Sequence, residues 1–249
     1  MGSGSKGNGT LIDDGDTCIL IDLGFTLKET VRRLSRLDLM PDQIDAILVT
    51  HEHADHIHGV AAFARKFGTP VYLTHGTYQS KNMGILPCLN HINCHESFEL
   101  GSFHVKPVAV PHDAKEPCQY VMTSKGYSVG VLTDLGHITP HVIDSYRDCH
   151  ALLLECNHDV DMLHNGPYPW PLKKRVGGDY GHLNNEQAGE LLAAINLAGL
   201  RALAISHVSE QNNEPDLAVS TVRPHLTGWS GNLVVADQHE GLPWIQIEG

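Results

Sequence analysis

One short segment constrains this chain more than any other. From His51 to His56 the sequence reads HEHADH, which places three histidines and an aspartate within six residues. A buried strand pattern, Ile44–Thr50, ends directly before the segment, and a helical pattern follows it. Residues two apart in an extended segment, such as His51 and His53, face the same way. Imidazole and carboxylate groups bind zinc well and manganese or iron acceptably, so the segment predicts a metal site.

Three further apolar strand patterns each end in one potential metal ligand. His112 follows the first, Asp134 the second and His207 the third. Each residue alone is equally compatible with a capped turn or an edge histidine. Together with the first cluster, the three strand ends predict additional ligands at the same site.

The composition agrees with a cation site. The chain has 18 histidines among 249 residues and a formal net charge of -12, whereas about 2% histidine is usual. The acidic balance argues against a sequence-independent coat on nucleic acid, although it does not exclude a locally basic groove. The six cysteines form no CxxC pair, so a reducing cytoplasm is predicted. Apolar runs stay below the ~18 residues of a membrane span, and we predict neither a signal peptide nor a membrane partner.

The remaining patterns predict one α/β domain covering residues 1–249, because no repeat and no long linker divides the sequence. Strands and helices in both halves favour two sheets with helices outside, a four-layer αββα sandwich. The strands are predicted at Thr10–Ile12, Thr17–Asp22, Ile44–Thr50, Pro70–Leu73, Phe103–Val110, Cys118–Thr123, Ser128–Thr133, Ala151–Leu154, Arg201–Ile205, Leu233–Ala236 and Trp244–Ile247, and the helices at Leu27–Leu37, His58–Phe67, Asn184–Leu197 and Leu217–Leu226.

The series of motifs resembles the metallo-β-lactamase superfold. The matching elements, in the order of that family, are Asp22 in IDLG, THEHADHIHG from Thr50, and then His112, Asp134 and His207. The resemblance implies the αββα fold and a site for two divalent ions, zinc or manganese. It places His51, His53 and His112 on one metal and Asp55, His56 and His207 on the other, with Asp134 bridging the two and Asp22 orienting a ligand histidine.

A second resemblance concerns the substrate. Glu155 at the end of a strand and His182 before a helix resemble the acid and histidine of the phosphodiesterase branch, seen in 3′-tRNA processing endonucleases. Leu183 and Asn184 stand where that branch has small hydroxyl residues, so this match is partial. Over nearly the whole chain the sequence resembles the YycJ-like (WalJ/VicX) branch, whose members are described as DNA exonucleases. This implies a nucleic acid substrate, with DNA favoured.

The mechanistic hypothesis assigns a role to each of these groups. A hydroxide bridging the two metals attacks phosphorus in line, and Asp55 orients it or accepts its proton. His182, held by Glu155, protonates the leaving oxygen. Ser5, Asn8 and the backbone amides of the glycine-rich start are predicted to bind a substrate phosphate, although a flexible first segment fits the pattern equally well.

Several alternatives remain open from the sequence. A small-molecule hydrolase of the same fold, a thioesterase or lactonase, is mildly favoured by the acidic net charge. A non-catalytic metal-binding regulatory module is the other alternative. The basic run from Lys173 to Arg175, with Tyr168, Trp170 and Tyr180 nearby, is either a lip for single-stranded nucleic acid or a solvated surface. The remaining histidines considered are predicted to be structural or on the surface, with His158 the most plausible exception: His58, His75, His158 and His164.

Overall fold

The computed structural model describes residues 1–247. Within that range the backbone forms two compact units. The first consists of Met1–Ala109, Ala114–Cys118 and Asp237–Trp244, and the second of Val110–Asp113, Gln119–Ala236 and the described residues after 244. No helix in the described range is long and apolar enough to span a membrane. That the whole chain is one domain stays a prediction.

The first unit is built on a five-stranded sheet in the order β1-β2-β3-β4-β5. Strands β1 and β2 form an antiparallel hairpin and β2 to β5 run parallel. The next two strands, β6 and β7, pair antiparallel. The strands are β1 (Thr10–Asp13), β2 (Cys18–Ile21), β3 (Ala46–Leu48), β4 (Val71–Thr74), β5 (Leu89–Ile92), β6 (Phe98–Leu100) and β7 (Phe103–Ala109), and the helices are α1 (Leu27–Ser35), α2 (Ala54–Ile57), α3 (Val60–Phe67) and α4 (His75–Ser80), with a 3-10 turn at Pro41–Gln43.

A continuous apolar core fixes this sheet against its helices. Leu20, Ile47 and Leu73 from three neighbouring strands are fully buried, and Leu34 of α1 and Phe63 of α3 pack in the same cluster. Burying a side chain of this kind stabilises the fold by about 1.5–3 kcal/mol relative to exposure. Strand β3 is therefore held firmly, and its carboxyl end delivers the HEHADH segment to a defined edge of the sheet.

The second unit carries the strands β8 to β12, in the order β12-β11-β10-β9-β8. Strands β8 and β9 are antiparallel, whereas β9 to β12 run parallel. The strands are β8 (Cys118–Ser124, all but its first residue in this unit), β9 (Tyr127–Leu132), β10 (Ala151–Glu155), β11 (Ala202–Ser206) and β12 (Asn232–Val235), and the helices are α5 (Pro140–Tyr146), α6 (Val160–Asn165), α7 (Trp170–Val176), α8 (Asn185–Ala194) and α9 (Pro215–Val222), with a 3-10 turn at Arg223–Leu226.

Most predicted elements exist, and the differences have physical causes. The helix predicted from His58 is divided into α2, which ends before His58, and α3, which begins after Gly59. The Gly59 backbone lies so close to the Phe25 carbonyl that no Cβ would fit there. The sequence did not predict α4 to α7, which have at most seven residues each and show no long apolar stripe. The predicted strand Trp244–Ile247 is wrong: these residues form no strand, and the Trp244 indole donates to the Leu37 carbonyl instead.

Candidate metal centre

The first ligand set (His51, His53, Asp55, His56) is oriented by a buried carboxylate. Asp22 accepts hydrogen bonds from the Thr50 amide, the Thr50 hydroxyl and Nδ1 of His56, at 2.8, 2.8 and 2.7 Å. Thr50 Oγ1 lies 2.9 Å from Nδ1 of His51 and accepts a hydrogen bond from it, because the hydroxyl hydrogen is donated to the Asp22 carboxylate. Each imidazole is thereby held through Nδ1, so Nε2 is the nitrogen that can coordinate a metal.

The four side chains of this set form a tight, largely buried cluster. His51 and His56 are fully buried, and their ring centroids are 4.1 Å apart. Nε2 of His51 lies 3.0 Å from Nδ1 of His53, and Nε2 of His56 lies 3.5 Å from an Asp55 carboxylate oxygen. Convergent imidazole nitrogens with a neighbouring carboxylate fit zinc or another borderline divalent ion.

The glycine-rich start of the chain supports these ligands directly. Asn8 is buried, its Nδ2 lies 3.2 Å from Oδ2 of Asp55 and 3.0 Å from Nε2 of His56, and its Oδ1 accepts the Gly4 amide. The amides of Lys6, Gly7 and Asn8 also donate to protein acceptors. Those donors hold the loop against the candidate ligands, and the binding of a substrate phosphate by Asn8 and this loop's amides stays a prediction.

Ser5 has a different environment from Asn8. It is exposed and lines an open pocket of about 430 Å³ together with Lys6, Thr26, Asp55 and His58. A ligand carboxylate and a lysine share this pocket, so a substrate that reaches Asp55 can contact Ser5. A substrate-binding role for Ser5 stays a prediction.

In the second unit, three parallel strands end at one edge. Asp134, Glu155 and His207 lie at or just beyond the carboxyl ends of β9, β10 and β11. Asp134 and His207 have φ values of 53° and 52°, and Asp22 in the first unit has 59°. Non-glycine residues in this left-handed region are uncommon and concentrate at functional sites. The second ligand set (His112, Asp134, His207) thus includes two residues held in that conformation.

Glu155 organises this edge more completely than the sequence predicted. Its Oε1 accepts Nδ1 of both His182 and His207, at 2.8 and 2.9 Å. Its Oε2 accepts the amides of Leu135 and Leu183, both at 3.1 Å. The carboxylate is fully buried, and its two backbone amide donors and two ring nitrogens favour the ionised form. It therefore fixes the orientation of both rings through Nδ1.

The electrostatics follow from this arrangement. Burial works against the charge on Glu155, but the neighbouring histidines, His182 first, outweigh it and lower its pKa. Burial likewise disfavours the protonated form of His182, but the Glu155 carboxylate outweighs it and raises the pKa of His182. Potential ligand atoms of Asp134, Glu155, His182 and His207 all lie within 4.8 Å of one another.

His112 is buried in the second unit, and its Nδ1 donates to the Gly181 carbonyl at 3.0 Å. Its Nε2 is therefore the nitrogen that can coordinate a metal, as in His51, His56 and His207. Two residues of this network had no role assigned from the sequence. Thr50 connects Asp22 to His51, and Gly24 leaves room for the Asp55 carbonyl, with which any Cβ would collide. Their membership of the THEHADHIHG and IDLG motifs was the available signal.

His158, the exception among the unassigned histidines, is deeply buried. It is 2% exposed, its Nδ1 has no hydrogen-bond partner among the described residues, and burial lowers its pKa to about 4 from 6.5. As the pH falls, His158 is protonated in the unfolded chain before it is protonated in the folded chain. The free energy of unfolding is therefore highest above pH 6.5 and decreases as the pH falls from 6.5 to 4.

We therefore expect His158→Gln to lose less stability on acidification than the unchanged protein, by up to about 3 kcal/mol between pH 7 and pH 4. Urea unfolding across that pH range measures the difference. His164→Gln, at an exposed histidine of α6, is the matched control and should follow the unchanged protein. Parallel stability curves for His158→Gln and the unchanged protein would contradict the assignment.

Fold and ligands together define a class. The chain matches the family model for the Beta-lactamase superfamily domain over residues 17–207 and belongs to that superfamily. The predicted metallo-β-lactamase fold, with its αββα layers, is thereby confirmed.

Particular relatives agree with this membership. The chain is 35% identical to Exodeoxyribonuclease WalJ of Streptococcus pneumoniae strain D39 over 230 residues, which cover 89% of this chain and 85% of that protein. It is 31% identical to Exodeoxyribonuclease YycJ of Bacillus anthracis over 226 residues, covering 89% and 86%. Among solved structures, the metallo-beta-lactamase fold protein YhfI of Bacillus subtilis is similar with a TM-score of 0.73 at 19% identity, covering 98% and 96%. The predicted likeness to the WalJ and YycJ branch is confirmed.

Proposed function

We propose that this protein is a metal-dependent phosphodiesterase that acts on nucleic acid, with DNA as the favoured substrate and exonucleolytic cleavage as the favoured mode. The observation that carries the proposal is the hydrogen-bonded pair of His182 and Glu155 among the ligand atoms of the second unit. The leaving group of a phosphodiester departs as an alkoxide and needs a proton donor, whereas a thioester releases a thiolate, which needs none. The names of the WalJ and YycJ relatives support the choice of DNA.

The two ligand sets are proposed to hold two divalent ions, zinc or manganese. His51, His53 and His112 would hold one ion, Asp55, His56 and His207 would hold the other, and Asp134 would be shared by both. The donor chemistry fits, because Nδ1 of His56, His112 and His207 is held by an oxygen acceptor and the rings present imidazole nitrogen beside carboxylates. When bound, such ions supply Lewis acidity that activates water and neutralises charge on the phosphoryl oxygens.

The protein's own residues perform the other steps. Asp22 and Thr50 keep the first-unit imidazoles in the correct tautomer, and Glu155 does the same for His207. The His182 side chain is 20% exposed, and its Nδ1 is bound to Glu155. Its Nε2 therefore carries the proton for the leaving oxygen. Asp55 is proposed to orient the attacking water or accept its proton, and Ser5 to contact the substrate. The six cysteines, all free thiols, support a cytoplasmic location.

A substrate panel tests the proposal. The purified protein, loaded with zinc or manganese, is incubated with bis-p-nitrophenyl phosphate, end-labelled DNA and RNA oligonucleotides, an acyl thioester and a lactone. We expect metal-dependent cleavage of the diester and of DNA from one end, abolished by a chelator and restored by the metal. Turnover of the thioester or lactone without phosphodiester cleavage would establish the small-molecule alternative. Full metal loading with no turnover of any substrate would favour the regulatory module.

A further inference from the structure

Helix α7 and the turn after it present a surface that the catalytic residues do not explain. No residue of α7 is buried, and Trp170 at its start is 67% exposed. Tyr180, shortly after its end, is 63% exposed. Aromatic rings contribute most when they pack, so two rings this exposed on one short segment point to a binding partner.

The charges on α7 indicate what kind of partner this is. Lys173, Lys174 and Arg175 are consecutive in a chain of net charge -12. Lys173 donates to the His164 carbonyl and Arg175 pairs with Asp113. Lys174 is exposed and stands four residues after Trp170, on the same face of the helix. In a nucleic acid, the phosphate can contact the lysine while the neighbouring base stacks on the exposed ring.

Hydrogen bonds connect this surface rigidly to the ligand-bearing loops of the second unit. The Val176 carbonyl accepts the amide of His182 at 2.8 Å, and the Tyr180 carbonyl accepts the amide of Asp113 at 2.9 Å. The Gly181 carbonyl accepts Nδ1 of His112 at 3.0 Å. Tyr180 stands two residues before His182, so their Cα atoms are at most about 8 Å apart. A base stacked on Tyr180 would therefore lie next to the group proposed to protonate the leaving oxygen.

We propose that Trp170, Lys174 and Tyr180, the α7 surface, bind single-stranded nucleic acid, with bases stacked on the two rings and a phosphate against the lysine. The inference rests on the proposed phosphodiesterase function and names the form of its substrate. Stacking requires unpaired bases, because both faces of a base are covered inside a duplex. The three side chains face solvent, so replacing them leaves the core intact.

Binding of a fluorescein-labelled phosphorothioate oligothymidine to the metal-loaded protein tests the inference. We expect Trp170→Ala and Tyr180→Ala each to raise Kd about tenfold, since stacking one base on a ring is worth about 1–3 kcal/mol. Lys174→Ala should reduce the slope of log K against log salt concentration by about 0.7. Tyr180→Phe, which keeps the ring, should bind like the unchanged protein.

Lys28→Ala is the matched charge control, because Lys28 is exposed on α1 and belongs to the first unit. Kd values for the Trp170 and Tyr180 variants within twofold of the unchanged protein would overturn the inference, and so would an equal loss in Lys28→Ala. That result would leave the phosphodiesterase proposal standing if the protein still cleaves DNA. Conversely, a ring-dependent Kd in a protein that cleaves no phosphodiester would overturn the proposed function alone.

Discussion

Replacing His182 by alanine is expected to slow cleavage of DNA by about 10²- to 10⁴-fold in kcat, the usual contribution of a positioned general acid. The imidazole is bound through Nδ1 to the buried Glu155 carboxylate at 2.8 Å, so its Nε2 carries the transferable proton. Substrate binding and metal content should change little, because His182 is not one of the proposed ligands. Steady-state kinetics on an end-labelled oligonucleotide, with metal analysis of the same sample, measure both quantities.

The leaving group provides a sharper test of this assignment. p-Nitrophenolate is a good leaving group that needs little protonation, so His182→Ala should reduce cleavage of bis-p-nitrophenyl phosphate far less than cleavage of DNA. The pKa of His182 is raised, and activity that needs its proton is retained below that pKa and lost above it. The variant should lack this fall at alkaline pH.

His164→Ala, at an exposed histidine in the same unit, is the control and should leave kcat and the pH profile unchanged. An equal loss on both substrates in His182→Ala would argue for a structural or metal-binding role instead. Full DNA cleavage by the variant would refute the proton donor while leaving the metal ligands in place.

The second large effect is expected at Asp134, the proposed bridge between the metals. Asp134→Asn keeps the shape of the side chain and tolerates the left-handed backbone at φ 53°, but it removes the charge that two cations would share. We expect fewer than two metals per chain and a fall in activity of about 10³-fold or more, since metal stabilisation of the transition state is worth several kcal/mol.

Metal analysis and thermal unfolding with and without added metal measure the change. The unchanged protein should gain thermal stability on metal binding, and Asp134→Asn should gain less, because ligands stabilise by mass action. Asp22→Asn should have a smaller effect, a loss of about 10- to 100-fold in metal affinity, because Asp22 orients His56 and is not itself a proposed metal ligand. Asp144→Asn, at an exposed aspartate of α5, is the control. Two tightly bound metals in Asp134→Asn would exclude the bridging role.

Much of the local structure was predictable because it depends on neighbours in sequence. The hairpin of β1 and β2 formed where Asp13 and Asp14 cap the turn with their carboxylates. Helix α8 follows Asn184, whose side chain caps it by accepting the Gln187 amide, close to the start of the helix predicted from Asn184. Short helices such as α6 and α7 were missed, since their few residues gain their order from contacts distant in sequence.

The sequence by itself determined which residue types are the candidate metal ligands and their order along the chain, because a packed core gives no reason for a HEHADH segment after an apolar strand. It also determined the family, through the same motifs. Only the tertiary structure decided how the ligands are held. It showed that Glu155 bonds both His182 and His207, and that Asn8 faces Asp55 and His56. The reason is physical: a side chain's hydrogen-bond partners depend on which strand ends meet at one edge, and strand order is not encoded in any single segment.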